Sequence, residues 1–392
     1  MPCALKILWV TALFAGYGVF AQSQAPSPKL SRASRTLPLA KFYDTPDPLP
    51  AGRPGELIRS EPPDDYQLSY EVSAFRILYH SRSPNGEDVA VSGVVLVPDG
   101  TPPAGGWPII AWAHDFTGSA RVCAPSLVKN LNQGPLLSMY ASLGYAVVAT
   151  DYAGLGTRFP YAALDLRSNA LDVIYAIPAA RAALPQLGAQ WVVAGYAQGA
   201  PVAVGVAEAE SELGDPNYLG AIGISGVAEP QEFFARVAEG PAFSMSVFLA
   251  QGIKAVFPEF QVEDMLTGKA MRLYEYVSQS CEARSGPELR AGEVLKLGWQ
   301  NNRYVKDFFT RNTLGRRPAH GPLLVISSEG DSVVPVDLTA KAVTRLCEQK
   351  DRVLFVKYPG LNSSAALGNS VSEQASWIRA RFAGLPAPGN CP

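Results

Sequence analysis

The stretch Trp191-Val192-Val193-Ala194-Gly195-Tyr196-Ala197-Gln198-Gly199-Ala200-Pro201-Val202-Ala203-Val204 decides how this chain folds. It opens on an apolar run of strand length, Gly195 and Gly199 bracket a sharp turn, and helical spacing continues to about Ala209. A run that is apolar at every position marks a strand buried on both faces, as in a parallel sheet. Outward from it, similar runs recur at 107–114, 145–151, 221–225, 322–327 and 353–358, and 75–80 and 91–98 read as two antiparallel opening strands. Helical spacing fills 136–143, ended by Gly144, and 168–183, where Leu171, Ile174, Tyr175 and Ile177 share a face. Helical sequence also follows the last two strands and ends near Ala383. Strands alternating with helices predict an α/β fold, a mostly parallel sheet of about eight strands with helices on both faces.

The alternation breaks once. Residues 226–319 carry helical segments at 243–256, 262–279 and 288–310 and no strand signal. An insertion before the last two strands predicts a helical cap, or lid, over the carboxyl edge of the sheet. The core is then 40–225 and 320–385, with a short tail at 386–392. Phe243, Val247, Phe248, Val256, Phe257 and Phe260 of the cap either line a pocket beneath it or pack it onto the body.

With 392 residues, 47% hydrophobic and 17% charged, the chain can build a large core. A net charge of −2 without any basic run excludes nucleic acid as an electrostatic partner. At the start, Lys6, the apolar stretch 7–20, and Val19 and Ala21 at the −3 and −1 places predict a signal peptide over 1–21. That stretch is too short to favour a spanning helix, which needs ~20 apolar residues, so no stable membrane anchor is expected after cleavage. Residues 22–39, rich in Pro, Ser and Ala, read as a flexible leader. The expected location is extracellular or periplasmic. Cys3 leaves with the signal, and the even number that remains, Cys123, Cys281, Cys347 and Cys391, suits two disulfides whose pairing the spacing leaves open. No Cys/His cluster has metal spacing, and no cofactor or metal is expected.

Ligands of open α/β sheets bind outside the carboxyl ends of the strands. The loops there include Trp112 to Gly118, Asp151 to Thr157, Glu329-Gly330-Asp331 and Gly360-Leu361-Asn362-Ser363. The fifth, Gly195-Tyr196-Ala197-Gln198-Gly199, has the frame of G-x-S-x-G, in which a strained strand-to-helix turn exposes a serine nucleophile. Its middle residue is Ala197, and a methyl group cannot form an acyl-enzyme.

Three blocks together resemble the secretory lipase family. They are Ala113-His114-Asp115 with Cys123-Ala124-Pro125-Ser126, then Gly144 through Gly156, then Tyr358-Pro359-Gly360-Leu361 with Trp377 through Gly384. The resemblance runs from about Leu57 to Gly384. It implies an α/β-hydrolase fold with a helical lid, lipase or esterase activity, and a Ser-Asp-His triad in that chain order. It also implies the bridges Cys123–Cys281 and Cys347–Cys391. Carried over, the nucleophile falls on Ala197, the acid on Asp331, and the base on Ser363, where the family has an Asp-His pair and this chain has Asn362-Ser363. The oxyanion donors fall on the backbone N–H groups of Asp115 and Gln198. An engineered Ser-to-Ala exchange would not account for Ser363, so natural loss of both positions is the more economical reading. None of His80, His114 and His320 is expected to replace the base.

Two functions follow. The first is a secreted, inactive homologue whose pocket takes a small apolar or acyl-ester ligand. The alternative is ester hydrolysis, by an inactivated variant of an active enzyme or by a rewired site of Asp115, Asp151, Tyr152 and Asp331, since paired carboxyls with separated pKa values can do acid–base work.

Overall fold

Alternate residues of each central strand feed two different cores. Ile109, Ala111 and Ala113 face one cluster, and Ile110 and Trp112 face the other. Both faces of these strands are therefore apolar, which is why they read as continuous hydrophobic runs. The computed structural model describes residues 36–63, 65–281 and 289–391. The expected signal peptide and the leader up to residue 35 lie outside the described residues, as does residue 392.

Among the described residues, nine strands form one sheet. They are β1 (Leu57–Glu61), β2 (Val72–Arg82), β3 (Asp88–Pro98), β4 (Trp107–Ala113), β5 (Ala146–Thr150), β6 (Leu187–Tyr196), β7 (Tyr218–Ile224), β8 (Leu323–Ser328) and β9 (Val353–Tyr358). The order is β1-β2-β3-β5-β4-β6-β7-β8-β9. The first three junctions are antiparallel and the rest parallel. The fold class is as expected, with one strand more. Leu57-Ile58-Arg59-Ser60-Glu61 escaped notice because this edge strand has no clean alternation, four of its five residues being half-buried.

Three helices pack on one face: α2 (Leu166–Ala183), α3 (Gly199–Leu213) and α8 (Val336–Glu348). On the other lie α1 (Gly134–Ser142) and α10 (Val371–Phe382), with Tyr140 and Trp377 against the sheet. The short α9 (Ser363–Asn369) follows β9. Residues 36–39, read from composition as leader, are joined to the body. Thr36 bridges Val128, and the Leu37 N–H donates to the Leu127 carbonyl at 2.7 Å.

Between β7 and β8 stand α4 (Pro230–Glu239), α5 (Met245–Val256), α6 (Gly268–Val277) and α7 (Arg303–Arg311), around a separate apolar core that includes Phe248, Phe260 and Phe308. The expected helix over 288–310 forms only as α7. Gly292 and Gly298 take φ of +79° and +76°, and the Asn302 side chain accepts the Tyr304 N–H and starts the helix there. The expected helix over 262–279 is likewise cut back. Thr267 caps α6 by accepting the Ala270 N–H, leaving 262–264 as a separate turn. The missed α4 carries its own signals, Pro230 in the first turn and Gly240 at the end. Both disulfides are present: Cys123–Cys281 joins the loop after β4 to the segment after α6, and Cys347–Cys391 holds the carboxyl terminus against α8.

Candidate functional site

Ala197 heads the turn from β6 into α3 with φ +49°, a left-handed conformation that costs a non-glycine residue roughly 1–2 kcal/mol. Its neighbours leave no choice of residue. A Cβ on Gly195 would lie 2.0 Å from the Gly199 carbonyl oxygen, and one on Gly199 would lie 1.9 Å from that of Ala113. From the next strand, a Cβ on Gly226 would lie 1.8 Å from the Ala197 oxygen. The bracketing glycines are thus fixed by close backbone approach, and the turn is held by the Ala197 N–H donating to the Ile224 carbonyl at 2.9 Å.

A cavity of about 450 Å³ opens in front of this turn, between the strand ends and the inserted helices. Asp115, Ala197, Gln198, Asp331 and Ser363 all line it. The loops carrying the last two are tied by the Gly330 N–H, which donates to the Leu361 carbonyl at 2.9 Å. The rest of the lining is largely apolar, including Phe233, Phe234 and Met245 of the insertion and Phe116, Leu164 and Val334 of the body. The six cap residues singled out from sequence do not line it. Val247, Phe248, Val256 and Phe260 are buried in the insertion's own core, and Phe243 and Phe257 pack against it.

Two local details mark the site. Asp115 Oδ1 accepts the Phe116 N–H at 2.6 Å. Burial pushes this carboxyl up, and hydrogen bonds from the Phe116 and Gln198 backbones offset part of the rise. The second detail is Ser363, whose Oγ donates to the Tyr196 hydroxyl at 3.1 Å and makes no hydrogen bond with Asp331. Asp331, buried at 7% exposure, instead accepts the Val333 and Val334 N–H groups on one oxygen, both at 2.9 Å.

Tyr196 went unremarked in the sequence because it stands in a variable place of the motif. Burial pushes its hydroxyl up, the bond from Ser363 offsets part of this, and the negative charge of Asp115 and Asp331 adds to the rise. Ser225 lies just past β7, where the sequence carries no motif. It lines the cavity with φ +50°, and its Oγ has no hydrogen-bond partner among the described residues.

No histidine lines the cavity. His114 is buried behind it, with its ring nitrogens facing the carbonyl oxygens of Asp115 and Asp151 at 2.5 and 3.1 Å, and burial lowers it to about 4. His80 pairs with Asp88 at 3.0 Å, and the His320 N–H donates to the Ala207 carbonyl at the far end of the sheet. The rewired set is not assembled. Asp115 and Asp331 line the cavity, but Asp151 and Tyr152 do not. Asp151 is buried, bonded by Ser92 and Ser126, and raised by burial to about 6. Among the described residues no group of His, Cys, Asp or Glu is placed to hold a metal ion, and no helix is long and apolar enough to cross a membrane.

The model of the family described as Secretory lipase matches residues 132–390. Among solved structures, the chain is similar to Candida antarctica lipase A in its closed state, 18% identical over 90% of this chain and 88% of that one, with a TM-score of 0.77. It is also similar to a ligand-bound form of the rice cell wall degrading esterase LipA from Xanthomonas oryzae, 20% identical over 84% and 98% of the two chains, with a TM-score of 0.69. Identities this low speak for the fold alone. No curated protein matches the sequence.

Proposed function

Since the chain belongs to the secretory lipase family, we propose that it is an exported, non-catalytic member that holds a small apolar or acyl-ester ligand in the cavity before Ala197. The observation that carries this reading is the methyl group at the head of the strained turn. That place calls for a nucleophile, and Ala197 has none to offer. Ser363 is the degenerate base position. A hydroxyl bonded to Tyr196 cannot take a proton from an attacking group near neutral pH, and no imidazole lines the cavity to replace it. Asp331 is the retained acid, and the Asp115 and Gln198 N–H groups are the oxyanion donors of the ancestral site. Because triad members act as a unit, what is left is binding and oxyanion effects, ~10³–10⁴-fold over water.

Binding is supported by the shape and lining of the cavity. Pockets for small ligands are typically ~300–1,000 Å³ and mostly apolar, with a few placed polar groups, and this one has that composition. Export is supported by the family and the two disulfides, together with the signal peptide read over 1–21.

The test is an assay of the purified mature protein with a fluorophosphonate probe and p-nitrophenyl butyrate, beside the double variant Ala197→Ser/Ser363→His. The expected result is no labelling and background hydrolysis for the protein, with labelling regained in the double variant. Turnover that survives repurification and disappears with Asp331→Asn would overturn the reading.

A further inference from the structure

The polar end of the cavity has an unusual balance of charge. Asp115 and Asp331 line it, and among the described residues no Lys, Arg or His does. Acids near its rim are paired: Arg311 bonds Asp165 at 2.6 Å, and Arg345 bonds Glu229. Neither Asp115 nor Asp331 has an ion-pair partner among the described residues. Among the described residues, the hydrogen bonds to their carboxyls come from backbone N–H groups. Both residues line the same cavity as Tyr196, whose hydroxyl receives the Ser363 hydrogen bond. Beside them Ser225, 2% exposed, keeps a hydroxyl with no partner in the same cavity wall.

A fatty carboxylate brings a like charge to these side chains, and an ester brings no charge to meet the two carboxyls. Like charges meeting in a site walled from water repel strongly, because the low local dielectric magnifies Coulomb energy. A primary ammonium brings the opposite charge and three N–H donors. Those donors match two carboxyls and one orphaned hydroxyl, and an apolar tail matches the Phe233, Phe234 and Met245 wall.

We propose that the cavity takes a single-chain amphiphile with a primary ammonium head, its nitrogen held by Asp331, Asp115 and Ser225 and its tail along the apolar wall under α4 and α5. With no imidazole at the base position the retained acid lacks the N–H donor that a neutral imidazole would bring, and the ammonium head supplies donors in its place. This rests on the reading of the cavity as a binding site.

Three probes with one tail separate the two ideas: dodecylamine, dodecanol and dodecanoate, titrated by calorimetry at pH 7 below their micelle concentrations. The expected result is dodecylamine at least tenfold tighter than dodecanol, with dodecanoate weakest. Asp331→Asn, in which Asn keeps an oxygen for the Val333 and Val334 N–H groups, should erase most of the amine's advantage and leave dodecanol unchanged. Asp115→Asn serves as the second variant. Equal affinity for all three probes overturns the ammonium proposal and leaves the binding reading standing. Tighter binding of dodecanoate, or an amine preference indifferent to both variants, also overturns it. No binding of any probe overturns both.

Discussion

Asp172 in α2 lies fully buried, with one oxygen accepting the Ser81 hydroxyl at 2.5 Å and the other the Ala153 N–H at 2.8 Å. Burial lifts this carboxyl from 3.8 to about 7 against those two bonds. The native state therefore holds the proton more tightly than the unfolded chain. The stability linked to this group is fully present below 3.8 and is lost as pH rises toward 7. At ~1.4 kcal/mol for each tenfold change in proton affinity, the loss is roughly 4 kcal/mol. Asp172→Asn removes it, because an amide is neutral throughout. Its oxygen can keep the Ala153 N–H, and its NH₂ can donate to Ser81 once that hydroxyl turns. Variant and parent would be compared by urea unfolding, followed by Trp fluorescence, at unit steps from pH 4 to 8. The stability of the variant relative to the parent should climb by roughly 4 kcal/mol across that range. His114, lowered by burial to about 4, gains stability over an overlapping window, but it does so in both proteins and cancels. A difference constant to within ~1 kcal/mol, the scatter of such extrapolations, would refute the assignment of a protonated Asp172.

Two further outcomes follow from geometry and connectivity. Gly199→Ala drives a Cβ to 1.9 Å from a backbone oxygen, so it should cost at least ~3 kcal/mol or abolish soluble expression. Gly268→Ala, with nothing within 4 Å of its Cβ, should shift stability by less than ~1 kcal/mol in the same unfolding assay. Equal effects would show that the turn relaxes more easily than its contacts imply. Replacing both cysteines of a bridge by Ser should cost at most ~5 kcal/mol for the 158-residue separation and ~4 kcal/mol for the 44-residue one in the chain-entropy account. If the shorter bridge proved the costlier by a wide margin, native packing of the carboxyl terminus would outweigh loop closure.

The sheet was legible because its inner strands are apolar on both faces, and burial on both faces writes itself directly into sequence. β1 was not, since Leu57 and Ile58 share a half-exposed edge with Arg59 and Glu61. In the insertion, Leu289, Val294 and Leu295 face apolar neighbours without being helical, so spacing alone misread them, while Gly292 and Gly298 carried the correct break. All five expected site positions line one cavity, because strand ends and a glycine-bound turn fix them along the chain. Which side chains touch there was not legible. The bond from Ser363 to Tyr196 depends on how loops far apart in sequence meet.

The strained turn at Ala197 also sets an asymmetry in how the protein can change. Every Ala codon becomes a Ser codon by a single base substitution. The glycines around the turn still leave the clearance that a small side chain with φ +49° requires. On the proposed reading, a hydroxyl could therefore return to the head of α3 in a single genetic step, onto a backbone already shaped to present it. Position 363 offers no such route, because no Ser codon reaches a His codon without two substitutions, and the intermediate would have to hold its place at the start of α9 meanwhile. A lineage that regained the serine alone would gain no proton acceptor for it, and selection would see little benefit until the second position followed. On that reading the mutational path to hydrolysis is blocked at position 363, while the turn stays open.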